Sequence, residues 1–198
     1  PISLLQQVLT DAGFQVTAGV ADIPPAFVAE SRQGEGGPVL GLLGEFDPLP
    51  GVSQAASPVR TPLKGRISGH ACGHHLFGTG SASAAIAIAH WLKSTGTPGT
   101  VRLYGTPAEE GGAGKVYMAR AGLFKDVDVV LHWHPADSNN ATQDTSLSNK
   151  SAKFRFHGIP SHASGSPQLG RSALDGVEAM DYMVNLMREH VQIGRAHV

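Results

Sequence analysis

Within six consecutive positions, His70-Ala71-Cys72-Gly73-His74-His75, the chain carries four side chains able to hold a metal ion. Thiolate and imidazole are good ligands for Zn²⁺ and related ions. Gly73 lets the backbone turn, so that Cys72 and His74 can face one point. For a lone cysteine the ordinary alternative is a buried free thiol, and three neighbouring histidines weigh against it. A second group is Thr106-Pro107-Ala108-Glu109-Glu110-Gly111-Gly112. Adjacent carboxylates repel each other and sit comfortably in a solvated loop. They can also divide labour: one holds a metal, while the other takes a proton from water acidified by that metal and returns it to a leaving amine.

His132 and His134 close an apolar stretch, and strand alternation would turn both toward one face. Either alone could be a satisfied core histidine. Glu45-Phe46-Asp47 closes another apolar stretch. Asp47 could hydrogen-bond a ligand histidine and fix its tautomer, or simply open a turn before Pro48. His162, in Ser161-His162-Ala163-Ser164, could donate to the oxyanion of a tetrahedral intermediate. By itself it reads as an ordinary loop histidine.

Positioning these groups requires regular elements. Leu4 to Gly13 reads as the end of an amphipathic helix closed by glycine. Phe14 to Ala18 and Ala26 to Glu30 read as strands, with Gln33 to Gly37 a turn. Pro38 to Leu43, Thr100 to Tyr104 and Val127 to Leu131 read as buried strands. Pro48 to Gly69 reads as a loop, Phe77 to Lys93 as a buried helix and Lys115 to Ala121 as a short one. This alternation predicts an α/β layered domain. In such sheets functional groups collect beyond the strand ends, where Asp47, Glu109, Glu110, His132 and His134 all fall. The pattern changes near Ser148. Ala152 to Gly158 alternates as a half-exposed strand would, and a helix is expected from about Ser172 to His190. The last residues, Ile193 to Val198, read like a translated sequencing adapter, so His197 receives no functional weight.

Composition narrows the classes. The net charge of −1 over 198 residues gives no reason to expect nucleic acid or an acidic membrane surface as a partner. No apolar run reaches the ~18 residues of a membrane span, and residues 1–7 lack the basic-then-apolar pattern of a signal peptide. One cysteine excludes an intrachain disulfide and suits a reducing cytoplasm. No glycine-rich phosphate loop follows a strand.

Together, Gly41-Leu42-Leu43-Gly44-Glu45-Phe46-Asp47, Gly69 to His74, Pro107 to Gly112, Trp133-His134-Pro135, Ser161-His162-Ala163 and Gly170 to Leu174 resemble the metal-dependent amidohydrolases of aminoacylase and carboxypeptidase G type. The resemblance runs to about Glu189. It implies a three-layer α/β catalytic domain with a central mixed sheet, incomplete here, over residues 1–147. It also implies the first strand and helix of an inserted α+β lid and dimerisation domain over 148–192. Two divalent ions are implied, Zn or Mn with Co possible. Cys72, His74 and Glu110 match metal ligands, and so does His134, with His132 as the alternative. Glu109 matches the general base, Asp47 the carboxylate behind the ligands, and His162 the lid histidine. Arg171 is a candidate clamp for the substrate carboxylate. His75 stands where relatives have Asp or Asn, and could compete for metal. The family's last ligand histidine has no counterpart in the chain, so these 198 residues alone are expected to be inactive. The implied substrate is a small N-acyl amino acid, p-aminobenzoyl-glutamate first among them. A dipeptidase, another deacylase, or a non-catalytic metal-binding subunit are the alternatives. A homodimer, or a heterodimer with a related subunit, is the implied assembly.

Overall fold

The computed structural model describes residues 2–141 and 150–191. The expected boundary at 147/148 and the adapter-like Ile193–Val198 lie outside the described residues. The chain divides into two compact units, Pro1–Asn139 and Asn140–Val198.

The first unit opens with α1 (Ile2–Asp11), whose Leu9 is fully buried. It ends where Gly13 takes φ +88°, a conformation that costs glycine nothing. β1 (Gln15–Ala18) and β2 (Phe27–Gln33) pair antiparallel. β3 (Val39–Glu45) follows, then a two-residue antiparallel pair, β4 (Leu49–Pro50) with β5 (Ser68–Gly69), bracketing a long loop. Next come α2 (His74–Thr95), β6 (Gly99–Thr106), α3 (Gly114–Arg120) and β7 (Val129–Leu131).

The main sheet is mixed, in the order β1-β2-β6-β3-β7. β2 runs antiparallel to β6, while β3 is parallel to both β6 and β7. Strand alternation produces three layers. Ala29, Leu42 and Leu103 face a core shared with Leu9, Ala82 and Ala85 of the helices α1 and α2. Val28, Leu43 and Tyr104 face the other way, into a core holding Met118 of α3. Arg102 ties this second face together. It stands opposite Glu30 in register and donates to it, and it makes a two-pronged contact with Asp126 at 2.7 and 2.8 Å. That guanidinium holds the Asp126 carboxyl below its usual range.

Three sequence expectations need correction. α2 starts at His74, before the expected Phe77, because Gly73 at φ +87° caps it. It is also buried along one stripe only, with Leu76 and Trp91 exposed. β7 is not a buried strand. It pairs with β3 alone among the described strands, and Val129, Val130 and Leu131 are 46, 42 and 52% exposed. An apolar run signals a strand but does not say whether neighbours cover it. In the second unit, Ala152 to Gly158 forms no strand. The alternation is present, but among the described residues the nearest ladder contact is the single Ile159–Arg171 bridge. A strand exists only through its partner's hydrogen bonds. α4 (Ala173–Arg188) forms close to expectation, with the Ser172 hydroxyl accepting the Asp175 N–H at 3.1 Å.

Candidate metal centre

The parallel strands β3, β6 and β7 all end at one edge of the sheet. The connection from β3 through α2 leads to β6 on one side, and the connection from β6 through α3 returns to β7 on the other. The two helices cover opposite faces, so β3 is where the winding reverses. A crevice opens beyond the strand ends at such a point. Glu45 and Asp47 follow β3, Glu109 and Glu110 follow β6, and His132 and His134 follow β7.

His74 is the hub. Its side chain is fully buried in the first turn of α2. Nδ1 lies 2.9 Å from the backbone carbonyl of Asp47. A carbonyl can only accept, so Nδ1 carries the proton and Nε2 of the neutral ring presents a lone pair. Nε2 is 2.9 Å from Glu45 Oε2, 3.8 Å from Glu109 Oε2 and 3.9 Å from Glu110 Oε1. His134 repeats the arrangement. Its Nδ1 is 2.9 Å from the Pro135 carbonyl, and its Nε2 is 3.3 Å from Cys72 Sγ. A thiolate and an imidazole on one tetrahedral ion, at about 2.3 and 2.0 Å from it, would stand roughly 3.5 Å apart.

Two donor triads result, Cys72/His74/His134 and Glu45/His74/Glu109, each with ligand atoms within 4.8 Å of one another. They share His74. Glu45 Oε2, Asp47 Oδ1 and His74 Nε2 are buried without a hydrogen-bond partner. At 2.9 Å, Nε2 of the neutral ring and Glu45 Oε2 both present lone pairs, a contact relieved by a proton or a metal ion between them. Lys115 is the lysine or arginine that pairs with one of these carboxylates among the described residues, through Glu45 Oε1. The chemistry of the donor set thus fits divalent metal ions. Burial first, and then hydrogen bonding to Glu110, push the Cys72 thiol up to about 11. A metal would have to displace its proton.

The remaining candidates fall as follows. The Asp47 carboxylate accepts the Glu110 N–H at 3.1 Å and lies 3.3 Å from His74 Nδ1, while its carbonyl fixes the histidine tautomer. His132 packs its ring 6.2 Å from that of Phe77 and belongs to neither triad. His75 is exposed, with its ring 5.0 Å from His70. In the second unit, His162 Nδ1 accepts the N–H groups of Ser164 and Gly165, so Nε2 is left as the donor. Arg171 exchanges backbone hydrogen bonds with Ile159. Sequence reasoning gave Glu45 and Lys115 no role. A glutamate closing an apolar strand was a usable signal, whereas the lysine gave none.

Close backbone approach makes the cluster possible. A Cβ on Gly78 would stand 2.8 Å from the Glu45 carbonyl, so α2 reaches the end of β3 only through a glycine. Ala108 and Ala113 hold φ +58° and +52° on either side of Glu109 and Glu110, a local cost that recurs at functional sites. Gly78→Ala is expected to destabilise the fold by about 1–3 kcal/mol and to weaken ion binding. Unfolding midpoints and metal titration check this, and wild-type behaviour in both would mean that the helix and strand need no such contact.

The model of Peptidase family M20/M25/M40 matches residues 41–190. The chain is 48% identical over 188 residues to one of the p-aminobenzoyl-glutamate hydrolase subunits of Escherichia coli, covering 94% of this chain and 39% of that one. It is 30% identical over 177 residues to the Xaa-Arg dipeptidase of Mus musculus, covering 86% and 37%. It therefore spans less than half the length of these relatives. A crystal structure of a Bacillus subtilis dinuclear metal binding peptidase from the M20 family superposes with a TM-score of 0.52 at 27% identity, over 65% of this chain and 34% of that one. Among the described residues no helix is long and apolar enough to cross a membrane.

Proposed function

Because the chain belongs to peptidase family M20/M25/M40, we propose that it forms the strand-end metal site of an amidohydrolase that cleaves N-acyl amino acids, p-aminobenzoyl-glutamate foremost. The observation that carries this reading is the convergence of Cys72 Sγ with the Nε2 atoms of His74 and His134, with Glu109 beside them. Cys72, His74, Glu110 and His134 are the proposed ligands. His134 is preferred to His132 for its 3.3 Å approach to Cys72, and Glu45 is placed to contribute. Cys72, His74 and His134 would hold one ion, and the carboxylates of Glu45 and Glu110 beside them are placed to hold a second, Zn²⁺ or Mn²⁺ by donor chemistry.

When bound, such ions supply Lewis-acid polarisation of the scissile carbonyl and acidify water. Glu109 would take a proton from the attacking water and pass it to the leaving nitrogen. Its side chain is 43% exposed, so it can meet a substrate. Glu110 and the Asp47 carboxylate are coupled through the Glu110 N–H, which fixes the loop carrying the base. Lys115 neutralises one oxygen of Glu45, limiting repulsion among the neighbouring carboxylates. His162, with Nε2 as donor, is suited to stabilise an oxyanion. The E. coli relative is one of the subunits of its hydrolase, which supports association with a further chain, and a single cysteine supports a cytoplasmic setting.

The test is turnover by the full-length polypeptide on p-aminobenzoyl-glutamate, Xaa-Arg dipeptides and N-acetyl amino acids. Cleavage of the first should vanish after chelation and return with Zn²⁺ or Mn²⁺. Undiminished turnover in the ion-free protein would defeat the reading. The mouse relative supports a dipeptidase as the second reading, and preference for the dipeptides would select it.

A further inference from the structure

The loop between β4 and β5 encloses, with the segment leading into α2, a cavity of about 920 Å³ that uses none of the donor atoms described above. Arg60, Arg66, His70 and His75 line it, with Val52 and Leu63 as apolar wall, and no carboxylate does so among the described residues. Neither arginine is engaged in an ion pair or side-chain hydrogen bond of the described residues. Arg32 and Arg102, by contrast, are both paired with acids. His70 Nδ1 is buried without a hydrogen-bond partner. Two uncompensated guanidinium groups around one hollow repel one another, and an anion removes that cost. A guanidinium fork matches a carboxylate in two parallel hydrogen bonds.

The loop is built. The Gln54 amide donates to the carbonyls of Ser57 and Val59 and accepts the Thr61 N–H, while the Ser53 hydroxyl accepts the Leu63 N–H. Gly69 lets this loop close, since a Cβ there would lie 2.7 Å from the Val52 carbonyl. The cavity also shares a wall with the metal centre. His70 and Ala71 directly precede Cys72, and His75 directly follows His74. The segment that lines the cavity thus also carries two of the proposed ligands.

We infer that this cavity is a carboxylate subsite, in which Arg60 and Arg66 bind the side-chain carboxylate of an N-acyl-glutamate substrate. The inference rests on the proposed amidase activity and names the feature of the substrate that the site selects. The arginines belong to the loop and not to the strand ends that carry the metal donors, so the carboxylate they hold lies several bonds from the reacting carbon.

The test compares N-acyl-glutamate with N-acyl-glutamine in the metal-loaded full-length protein, and measures glutarate binding by calorimetry. Arg60→Gln and Arg66→Gln should each raise KM for the glutamate substrate by roughly 10- to 100-fold while kcat changes little. The glutamine substrate should be nearly unaffected, and glutarate binding should weaken in parallel. Lys64→Gln removes a charge from the same loop outside the cavity wall and should change none of these. Equal effects on both substrates, or none, would overturn the subsite while leaving the amidase standing. Arginine-dependent glutarate binding without turnover would do the reverse. Failure of the wild-type protein to bind glutarate counts against the subsite.

Discussion

Glu109→Gln should reduce kcat by roughly 10²- to 10⁴-fold, the usual contribution of a positioned general base, with bound metal unchanged. The expectation follows from geometry. Glu109 Oε2 is 3.8 Å from His74 Nε2, near the shared ligand but farther than Glu45, and its side chain is the more open of the adjacent pair, 43% against 22% exposed for Glu110. A carboxylate so placed can meet water and substrate together. The amide keeps size and shape but cannot accept a proton, so chemistry slows while ligation survives. Glu110→Gln should separate the roles by lowering metal content as well. Metal analysis alongside kcat distinguishes them. Near-normal turnover in Glu109→Gln would remove it from proton transfer, and metal loss in that variant would make it a ligand.

Cys72→Ala should weaken binding of the first ion by more than about 100-fold, since residues that merely orient a ligand already account for 10–100-fold. It should also alter the pH dependence. The thiol is pushed up to about 11, chiefly by burial and next by Glu110. Near neutral pH it is protonated, and the ion must expel that proton to gain the thiolate. Affinity therefore rises with pH, by about tenfold per unit for each proton released, until the thiol ionises unaided near 11. Without Cys72 that proton is no longer released, so the slope should fall by about one log unit per pH unit. Titrations at several pH values give both numbers. An unchanged slope would mean that Cys72 does not ligate, whatever happens to the affinity.

Much of the site could be read from residue types and order. Cys72, His74, Glu109 and Glu110 stood out because so few residue types bind metals or move protons, and their clusters fall where apolar runs stop. The layered α/β class was legible for the same reason: a strand period followed by a helix period leaves few ways to bury both. Burial of individual elements was not legible. Val129 to Leu131 and Ala152 to Gly158 carry strand patterns, yet one lies at an exposed sheet edge and the other forms no ladder. Pattern describes a segment, whereas burial and pairing depend on segments elsewhere.

The sequence by itself therefore determined the chemical inventory and the sheet edge at which it gathers. The tertiary structure decided which atoms meet. β7 ends at Leu131, so the period of two that would align His132 with His134 no longer applies, and it is His134 that comes within 3.3 Å of Cys72. The carbonyls of Asp47 and Pro135 accept from the outer Nδ1–H groups and so leave both Nε2 atoms free to face inward. Glu45, well before His74 in the chain, joins them because Gly78 lets α2 approach the end of β3. Direction, tautomer and distance arise from backbone paths that converge from three strands, and no local stretch of residues encodes them.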